Sequence, residues 1–312
     1  MADGCSRRGG DDLRGGRLNG KPRMPAELTR RAAALAAGDG SWVPPIARPA
    51  STVVLLRDAP QRPMTYLMRR APSMAFAAGM HVFPGGRIDD EDLAARIDFV
   101  GQPIDPDRMT ADADLARGII VGAVREVFEE TGVLLAVDES GRLPVEDRQW
   151  EDDRMAVNAS SEQLPLILAR RGLAIDPDLL PLWSHWITPE VEERRYDVRF
   201  FVTRVPEGQS VRDVSGEADR CIWVDPAQAL TDYHEGRMAM LPPTVSTLAD
   251  LVELPDTADL AIRARDRVVR PLLPRTRMVE GEVVWEVVDA RTDEVVWSLD
   301  GPPAGSESRG IL

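Results

Sequence analysis

Three glutamates, Glu126, Glu129 and Glu130, stand close together in a segment that ends at Gly132. The apolar residues between them and the terminal glycine predict the last turns of a helix. Because residues three and four positions apart share a helix face, we expect the three carboxylates side by side. Like charges repel at this spacing, and acids near a helix C-terminus oppose its dipole. The cluster therefore suits a hard divalent cation such as Mg²⁺, with a solvated acidic face as the competing interpretation.

The composition limits the class of protein. Of 312 residues, 43% are hydrophobic, which predicts a globular chain with a substantial core. The 52 acidic and 38 basic residues give a net charge of −14, which argues against broad electrostatic binding of nucleic acid or anionic membranes. Cys5 and Cys221 supply neither a disulfide framework nor a zinc site. No apolar run approaches the roughly 20 residues that span a bilayer, so we expect a cytoplasmic protein and leave a homodimer open.

The hydrophobic pattern predicts an α/β protein, with a mixed β-sheet sandwiched between α-helices rather than a doubly wound sheet. Strands are expected over residues 50–56, 65–70, 81–87, 195–204 and 220–224, with 133–137 re-entering the sheet. Helices are expected over 26–37, 111–130, 162–171, 226–234 and 245–253. Residues 282–288 and 294–299 flank a turn and predict a C-terminal β-hairpin. Such a hairpin must pack on the main body or on a second subunit, because it is only marginally stable alone.

The run Arg125-Glu126-Val127-Phe128-Glu129-Glu130-Thr131-Gly132-Val133 resembles the second half of the Nudix box, Gly-x5-Glu-x7-Arg-Glu-U-x-Glu-Glu-x-Gly-U with U aliphatic. Gly85-Gly86 resembles the first half of the box, and we expect it to lie in a Pro-Gly-Gly turn that ends the strand over residues 81–87. The box is split by about 25 additional residues, an insertion that costs little loop entropy. Counted from Gly86, Asp92 stands where the box has its first Glu. The split box and the segments 183–189, 194–197 and 241–244 resemble the coenzyme A diphosphatase branch of this family.

The resemblance implies a Nudix fold and a division into three regions. Residues 1–45 would be a disordered extension with a short helix, and residues 46–255 the Nudix hydrolase domain, with insertions near 93–112 and 140–180. Residues 256–312 would add the hairpin and a flexible tail.

The resemblance also assigns roles to residues. Glu126, Glu129 and Glu130 would ligate Mg²⁺ or Mn²⁺, and Arg125 would pair with Glu129 to hold them in register. The Gly85-Gly86 backbone would shape the metal site. Glu217, in a loop, would act as a base or further ligand, with an exposed loop acid as the alternative. Four arginines are candidates for binding substrate phosphates, each also explicable as a structural residue: Arg69, Arg70, Arg194 and Arg195.

The implied reaction is metal-dependent cleavage of a diphosphate bond in a nucleoside diphosphate derivative. Coenzyme A or acyl-coenzyme A leads, because an upstream pattern of bacterial coenzyme A pyrophosphatases matches Leu67, Arg70, Ala71, Gly79 and Phe83–Gly86, although Tyr66, Met68 and Ala75 depart from it. The alternatives are ADP-ribose, NADH or an oxidised nucleoside triphosphate as substrate, or a module that senses a nucleotide without cleaving it.

Overall fold

A computed structural model describes residues 17–18, 21–22, 26–74, 77–101, 105–160, 162–212, 218–258, 260–280 and 282–298. The strands in these residues are β1 (Arg17–Leu18), β2 (Lys21–Pro22), β3 (Arg48–Arg57), β4 (Met64–Arg70), β5 (His81–Val82), β6 (Gly85–Arg87), β7 (Leu182–Ile187), β8 (Tyr196–Arg204), β9 (Ala218–Val224), β10 (Pro271–Val279), β11 (Glu282–Asp289) and β12 (Val295–Ser298). The helices are α1 (Ala26–Ala37), α2 (Asp90–Ala94), α3 (Ala113–Thr131), α4 (Trp150–Asn158), α5 (Leu164–Arg171), α6 (Pro226–His234), α7 (Pro242–Val252) and α8 (Leu260–Asp266).

Ten of the strands form one mixed sheet in the order β12-β11-β10-β7-β8-β3-β4-β5, with β6 also paired to β3 and β9 to β4. The pairs β3–β8 and β10–β7 are parallel, and the other pairs of this sheet are antiparallel. Strand β3 lies at the centre, and its run Val53–Leu56 is fully buried. A continuous apolar run of this kind is typical of a strand covered on both faces.

Helices cover both faces of the sheet. The core on one face contains α3, the segment 133–137, Trp150 of α4 and the apolar side of α5. The core on the other face contains the apolar residues of α6, α7 and α8. The prediction of a mixed sheet between helices is confirmed, and the C-terminal hairpin is present.

The hairpin is part of a larger unit than the sequence predicts. Strand β10, which no sequence pattern predicts, pairs with β11 from Leu272 to Val279 and joins β7 of the main sheet in parallel. The strands β11 and β12 pair antiparallel as expected. The hairpin therefore packs on the main body, where it extends the sheet.

The N-terminal region contains the expected helix, but the helix is docked rather than isolated. Helix α1 packs against β10 and β11. Arg31 is buried, donates to the carbonyl oxygen of Val191 over 3.1 Å, and stacks on the ring of Trp42. Helix α1 thus contacts the C-terminal strands and, through Arg31, the segment that contains Val191. Among the described residues, no helix is long and apolar enough to cross a membrane.

The expectation that residues 133–137 re-enter the sheet is wrong. They are fully buried after α3, yet their contact with another strand-like segment is limited to a bridge between Val137 and Ala174. The side-chain amide of Gln209 replaces a neighbouring strand: it accepts from the Leu134 N–H over 2.9 Å and donates to the Leu134 carbonyl over 3.1 Å. Apolar composition predicted the burial correctly, but it could not reveal that a side chain would satisfy the backbone.

Replacing Gln209 with Leu should lower the free energy of unfolding by about 3 kcal/mol, because the buried N–H and C=O of Leu134 lose their partners. The measurement is urea unfolding. Gln163→Leu is the matched control, since Gln163 is exposed and makes no side-chain cap bond to α5. Equal stability of the two variants would contradict the role given to Gln209.

Candidate active site

Helix α3 carries the acidic cluster, and both of its ends are fixed by local interactions. Asp112 caps the N-terminus by accepting from the backbone N–H groups of Asp114 and Leu115, each over 3.0 Å. Gly132 ends the helix in the left-handed conformation, with φ of 77°, and its N–H reaches the carbonyl of Phe128. The cluster therefore lies in the last two turns of a well-defined helix.

Strand β6 brings Gly85 and Gly86 under the helix. The expected Pro-Gly-Gly turn is wrong: the chain breaks its strand at Phe83 and Pro84, and the two glycines pair with Thr52 and Ser51 of β3. Gly85 has a φ of 147°, and a Cβ there would lie 2.2 Å from the carbonyl oxygen of Ser51. Only glycine lets the two backbones approach this closely.

The three glutamates contact the strand and its surroundings in different ways. A Cβ on Gly86 would lie 2.4 Å from Oε1 of Glu126, so the carboxylate of Glu126 rests directly on the Gly86 backbone. Glu130 is buried, and its Oε2 accepts from the Gly85 N–H over 2.8 Å. Glu129 lies one turn from Arg125, whose Nη1 is 3.3 Å from Oε2 of Glu129. The helix and the glycine strand thus form one site.

Arg125 connects the two halves of the split box. Its Nε and Nη2 donate to the two carboxylate oxygens of the buried Asp92, each over 2.9 Å. Its Nη1 also lies 3.0 Å from Oε1 of Glu126. A two-pronged pair of this kind fixes the guanidinium plane. Asp92, which occupies the position of the first box Glu, therefore contacts Arg125 rather than the open face of the cluster.

Two glycines on α3 make room for this pair. A Cβ on Gly118 would lie 2.5 Å from Leu93, and a Cβ on Gly122 would lie 2.6 Å from Ile88 and 3.2 Å from Asp92. Because positions i and i+4 share a helix face, these glycines form a groove into which α2 packs. The spacing was visible in the sequence and could have predicted where α2 would dock.

Burial changes the pKa values of Glu126, Glu129 and Arg125. Burial raises the pKa of the Glu126 carboxyl to about 7, with Arg125 opposing the rise. Burial likewise raises the pKa of Glu129, again against the effect of Arg125. Burial alone would lower the pKa of Arg125, but the carboxylates of Asp92, Glu126 and Glu129 raise it above its ordinary value. The positive charge of Arg125 thus lies beside Glu126 and Glu129, two acids whose ionisation burial disfavours.

The donor set fits a hard divalent cation. Glu126, Glu129 and Glu130 offer carboxylate oxygens, which Mg²⁺ and Mn²⁺ prefer. A cation would also favour the ionised form of Glu126, whose pKa burial has raised to about 7. Within the residues that the structure describes, no three Asp, Glu, His or Cys side chains already converge as a finished metal site, and Arg125 lies between Glu126 and Glu129.

Asp92 is matched to its place, although the box pattern has Glu there. Asp92→Glu should lower the free energy of unfolding by about 1–3 kcal/mol, because an extra methylene must fit between Gly122 and Arg125. Thermal and urea unfolding measure the effect. Glu91, on the exposed side of α2, provides the control Glu91→Asp, which we expect to change stability by less than about 0.5 kcal/mol. A more stable Asp92→Glu variant would contradict the fit.

The arginines proposed for substrate binding are dispersed. Arg69 forms a two-pronged pair with Asp219, with both N–O distances at 2.7 Å. It points to the same face of the sheet as Leu67, which belongs to the core on the face opposite α3. Arg70 follows on the opposite face, the one that carries α3.

The other two candidate arginines lie before β8. Arg195 donates to the carbonyl oxygens of Thr188 and Pro45, and Arg194 is exposed. Glu217 lies outside the described residues.

Two residues of α4 support the acidic end of α3, and no local sequence pattern predicts either contact. Arg154 is buried and donates to the carbonyl oxygen of Glu129 over 2.8 Å. The indole N–H of Trp150 donates to the carbonyl of Gly132 over 2.8 Å, and its ring meets Phe128 edge-on at 5.9 Å. A cation at a helix C-terminus offsets the unfavourable interaction between nearby acids and the negative end of the helix dipole. Helix α4 therefore offsets part of the unfavourable electrostatics of the acidic cluster at the end of α3.

The chain is similar to several known proteins. The family model of the NUDT19 Nudix domain matches residues 103–251. The chain is 27% identical over 224 residues to the acyl-coenzyme A diphosphatase NUDT19 of Xenopus laevis, covering 59% of this chain and 58% of that protein. It is 26% identical over 243 residues to the human protein of the same name, covering 62% of each chain. A crystal structure of a Nudix hydrolase from Alicyclobacillus acidocaldarius superposes with a TM-score of 0.59 at 29% identity, over 70% of this chain and 96% of that one.

The sheet, the glycine strand and the acidic helix have the arrangement of a Nudix fold, and the chain is similar to Nudix hydrolases in sequence and in structure. Among the relatives that it matches are proteins named acyl-coenzyme A diphosphatase. It spans 58% of the length of the Xenopus relative.

Proposed function

We propose that this protein is a metal-dependent hydrolase that cleaves the diphosphate bond of a nucleoside diphosphate derivative, with coenzyme A or acyl-coenzyme A as its substrate. The observation that carries the proposal is the joining of both halves of a Nudix box by contacts: Glu130 to Gly85, and Arg125 to Asp92. Water would add across the anhydride bond, so that coenzyme A yields phosphopantetheine and 3′,5′-ADP.

In this proposal, the residues of the site have different roles. Glu126, Glu129 and Glu130 would hold Mg²⁺ or Mn²⁺, which supplies charge neutralisation for the diphosphate and lowers the pKa of water. Arg125, held by Asp92, keeps Glu126 and Glu129 in register. Gly86 leaves space for the carboxylate of Glu126 beside the backbone. Glu130 fixes the strand to the helix through the Gly85 N–H.

The choice of coenzyme A derivatives rests on the similarity to proteins named acyl-coenzyme A diphosphatase and on the sequence pattern before Gly85. Retention of all three box glutamates in α3 favours catalysis over a module that only senses a nucleotide.

A substrate panel tests the proposal. Purified full-length protein is incubated with Mg²⁺ or Mn²⁺ and coenzyme A, acyl-coenzyme A, ADP-ribose, NADH or oxidised nucleoside triphosphates, and the products are separated by chromatography. We expect the highest kcat/KM for the coenzyme A compounds and loss of activity with EDTA, restored by excess metal. Faster cleavage of another nucleotide would replace the substrate assignment, and binding without cleavage of any compound would establish a sensing module.

A further inference from the structure

A second polar region lies on the sheet face that carries the acidic helix. Across the sheet, Gly86 pairs with Ser51, Ser51 with Arg199, and Arg199 with His185. Directly paired residues point to the same face, so this row continues from the glycine under Glu126 toward β7. With strands spaced about 4.8 Å apart, Arg199 and His185 lie about 10 Å and 15 Å from Gly86 along the row.

This row ends in a cavity of about 520 Å³. Arg199 and His185 line its floor, the segment 106–111 forms one wall, and Pro271 with Ala290 and Arg291 forms the other. Its size is within the range of small-molecule sites, which are typically apolar with a few polar groups. The C-terminal strands therefore complete a pocket that the Nudix core alone would leave open.

The buried polar groups of the row have unused hydrogen-bonding capacity. Ser51, Arg199 and His185 are each at least nine-tenths buried. Within the described part of the chain, Ser51 Oγ, Arg199 Nε and His185 Nδ1 have no hydrogen-bond partner. Buried polar atoms without partners are unusual in folded proteins and call for a ligand or water.

The remaining contacts hold the two floor residues in place. Arg199 Nη1 lies 2.6 Å from Oδ2 of Asp197, and Nη2 donates to the carbonyl oxygen of Met109 over 3.1 Å. His185 Nε2 contacts the other carboxylate oxygen of Asp197. That contact leaves Nδ1 as an acceptor in the neutral ring and as a donor in the protonated ring. Burial lowers the pKa of His185, with Asp197 opposing and Arg199 adding to the decrease.

Phosphate matches these groups better than a carboxylate does. The charged side chains that line the cavity are Arg199, Arg291 and Asp107, and Asp197 pairs with Arg199 beneath it. Asp107 and Arg291 are exposed, so solvent screens their charges. A phosphate monoester, with its second pKa near 6, offers acceptor oxygens to Arg199 Nε and a proton that it shares with His185 Nδ1. An ionised carboxylate can only accept.

We propose that the Arg199–His185 cavity binds a second phosphate group of the substrate, apart from the diphosphate that is cleaved. In coenzyme A that group is the 3′-phosphate. The inference rests on the proposed function, because it takes the acidic helix as the site where the diphosphate lies.

The test compares coenzyme A with dephospho-coenzyme A, which lacks the 3′-phosphate, in the full-length protein with metal. The wild type should favour coenzyme A by about 10- to 100-fold in kcat/KM, the range of a charge-assisted hydrogen bond. His185→Gln and Arg291→Gln should each reduce that preference several-fold, and Arg199→Lys should retain part of it. Arg142→Gln, an exposed arginine that pairs with Asp138, is the matched control and should leave the preference unchanged. Melting temperatures confirm that each variant is folded.

The outcomes separate the two proposals. Equal rates for both compounds, or variants that slow both compounds alike, would overturn the phosphate subsite and leave the hydrolase standing, with water in the cavity. Cleavage of neither compound, nor of any other nucleotide in the panel, would overturn the proposed function. In that case, calorimetry compares the affinities of the protein for 3′,5′-ADP and for AMP. Tighter binding of 3′,5′-ADP that is weakened in His185→Gln would support the phosphate subsite, and equal binding of the two compounds would overturn it.

Discussion

Glu129→Gln and Glu130→Gln should each lower kcat on the preferred nucleotide by about a thousandfold, which corresponds to about 4 kcal/mol of transition-state stabilisation. Each change replaces a carboxylate ligand with an amide of nearly the same shape, so the proposed site loses charge but little volume. Glu130→Gln has a second expected effect, since Glu130 also accepts from the Gly85 N–H. We therefore expect a small loss of stability for that variant in addition to the loss of activity.

Glu139→Gln is the matched control, because Glu139 is exposed in the turn after the buried segment 133–137. It should keep the wild-type kcat. Steady-state kinetics over a range of Mg²⁺ and Mn²⁺ concentrations provide the measurement. Wild-type rates in both cluster variants would show that the acids of α3 do not carry the reaction.

Gly85→Ala should lower the free energy of unfolding by at least about 3 kcal/mol, the sum of backbone strain and overpacking. The φ of 147° is unfavourable for any residue with a side chain, and the new Cβ would overlap the carbonyl oxygen of Ser51. The obstacle is backbone within the central strand, which cannot move without disrupting its pairing with β8. Urea unfolding and the yield of folded protein measure this effect.

The neighbouring glycine gives the contrasting variant. In Gly86→Ala the new Cβ would meet the carboxylate of Glu126, the end of a flexible side chain that can rotate away. We expect this variant to remain folded and to lose most of its activity, because Glu126 is displaced from the cluster. Equal stability of Gly85→Ala and Gly86→Ala would show that the close approach of β6 and β3 does not constrain the site.

The sequence predicted those parts of the molecule that depend on local patterns. The i, i+3 and i, i+4 spacing of the glutamates placed them on one helix face, and the structure shows α3 there. The apolar run after Pro49 predicted a buried strand, which is the centre of the sheet. Helix α6 has the predicted bounds, because Pro226 after an N-capping Asp225 is a strong local start signal.

The rest depends on contacts between segments that are distant in the sequence. Asp92 was identified as a departure from the box, but its contact with Arg125 follows from the docking of α2 in the Gly118–Gly122 groove. Arg154 contacts Glu129 from helix α4, whose orientation no periodicity specifies. Strand β7 was missed because two tryptophans and a β-bulge obscure its alternation, and with it the position of His185 opposite Arg199. Local patterns identify elements, whereas tertiary packing decides their neighbours.

The parallel pairing of β3 with β8 has a consequence for how this protein folds. Strand β3 supports the glycine strand on one side, and its other neighbour, Tyr196–Arg204, comes from much later in the chain. Closing so long a loop before the pairing energy is gained makes the central sheet a slow, late-forming element. During synthesis, the acidic helix and the glycine strand both leave the ribosome before the strand that secures them. Until β8 is synthesised, the nascent chain exposes the apolar strand β3 with an unpaired edge, a state in which aggregation competes with completion of the candidate site.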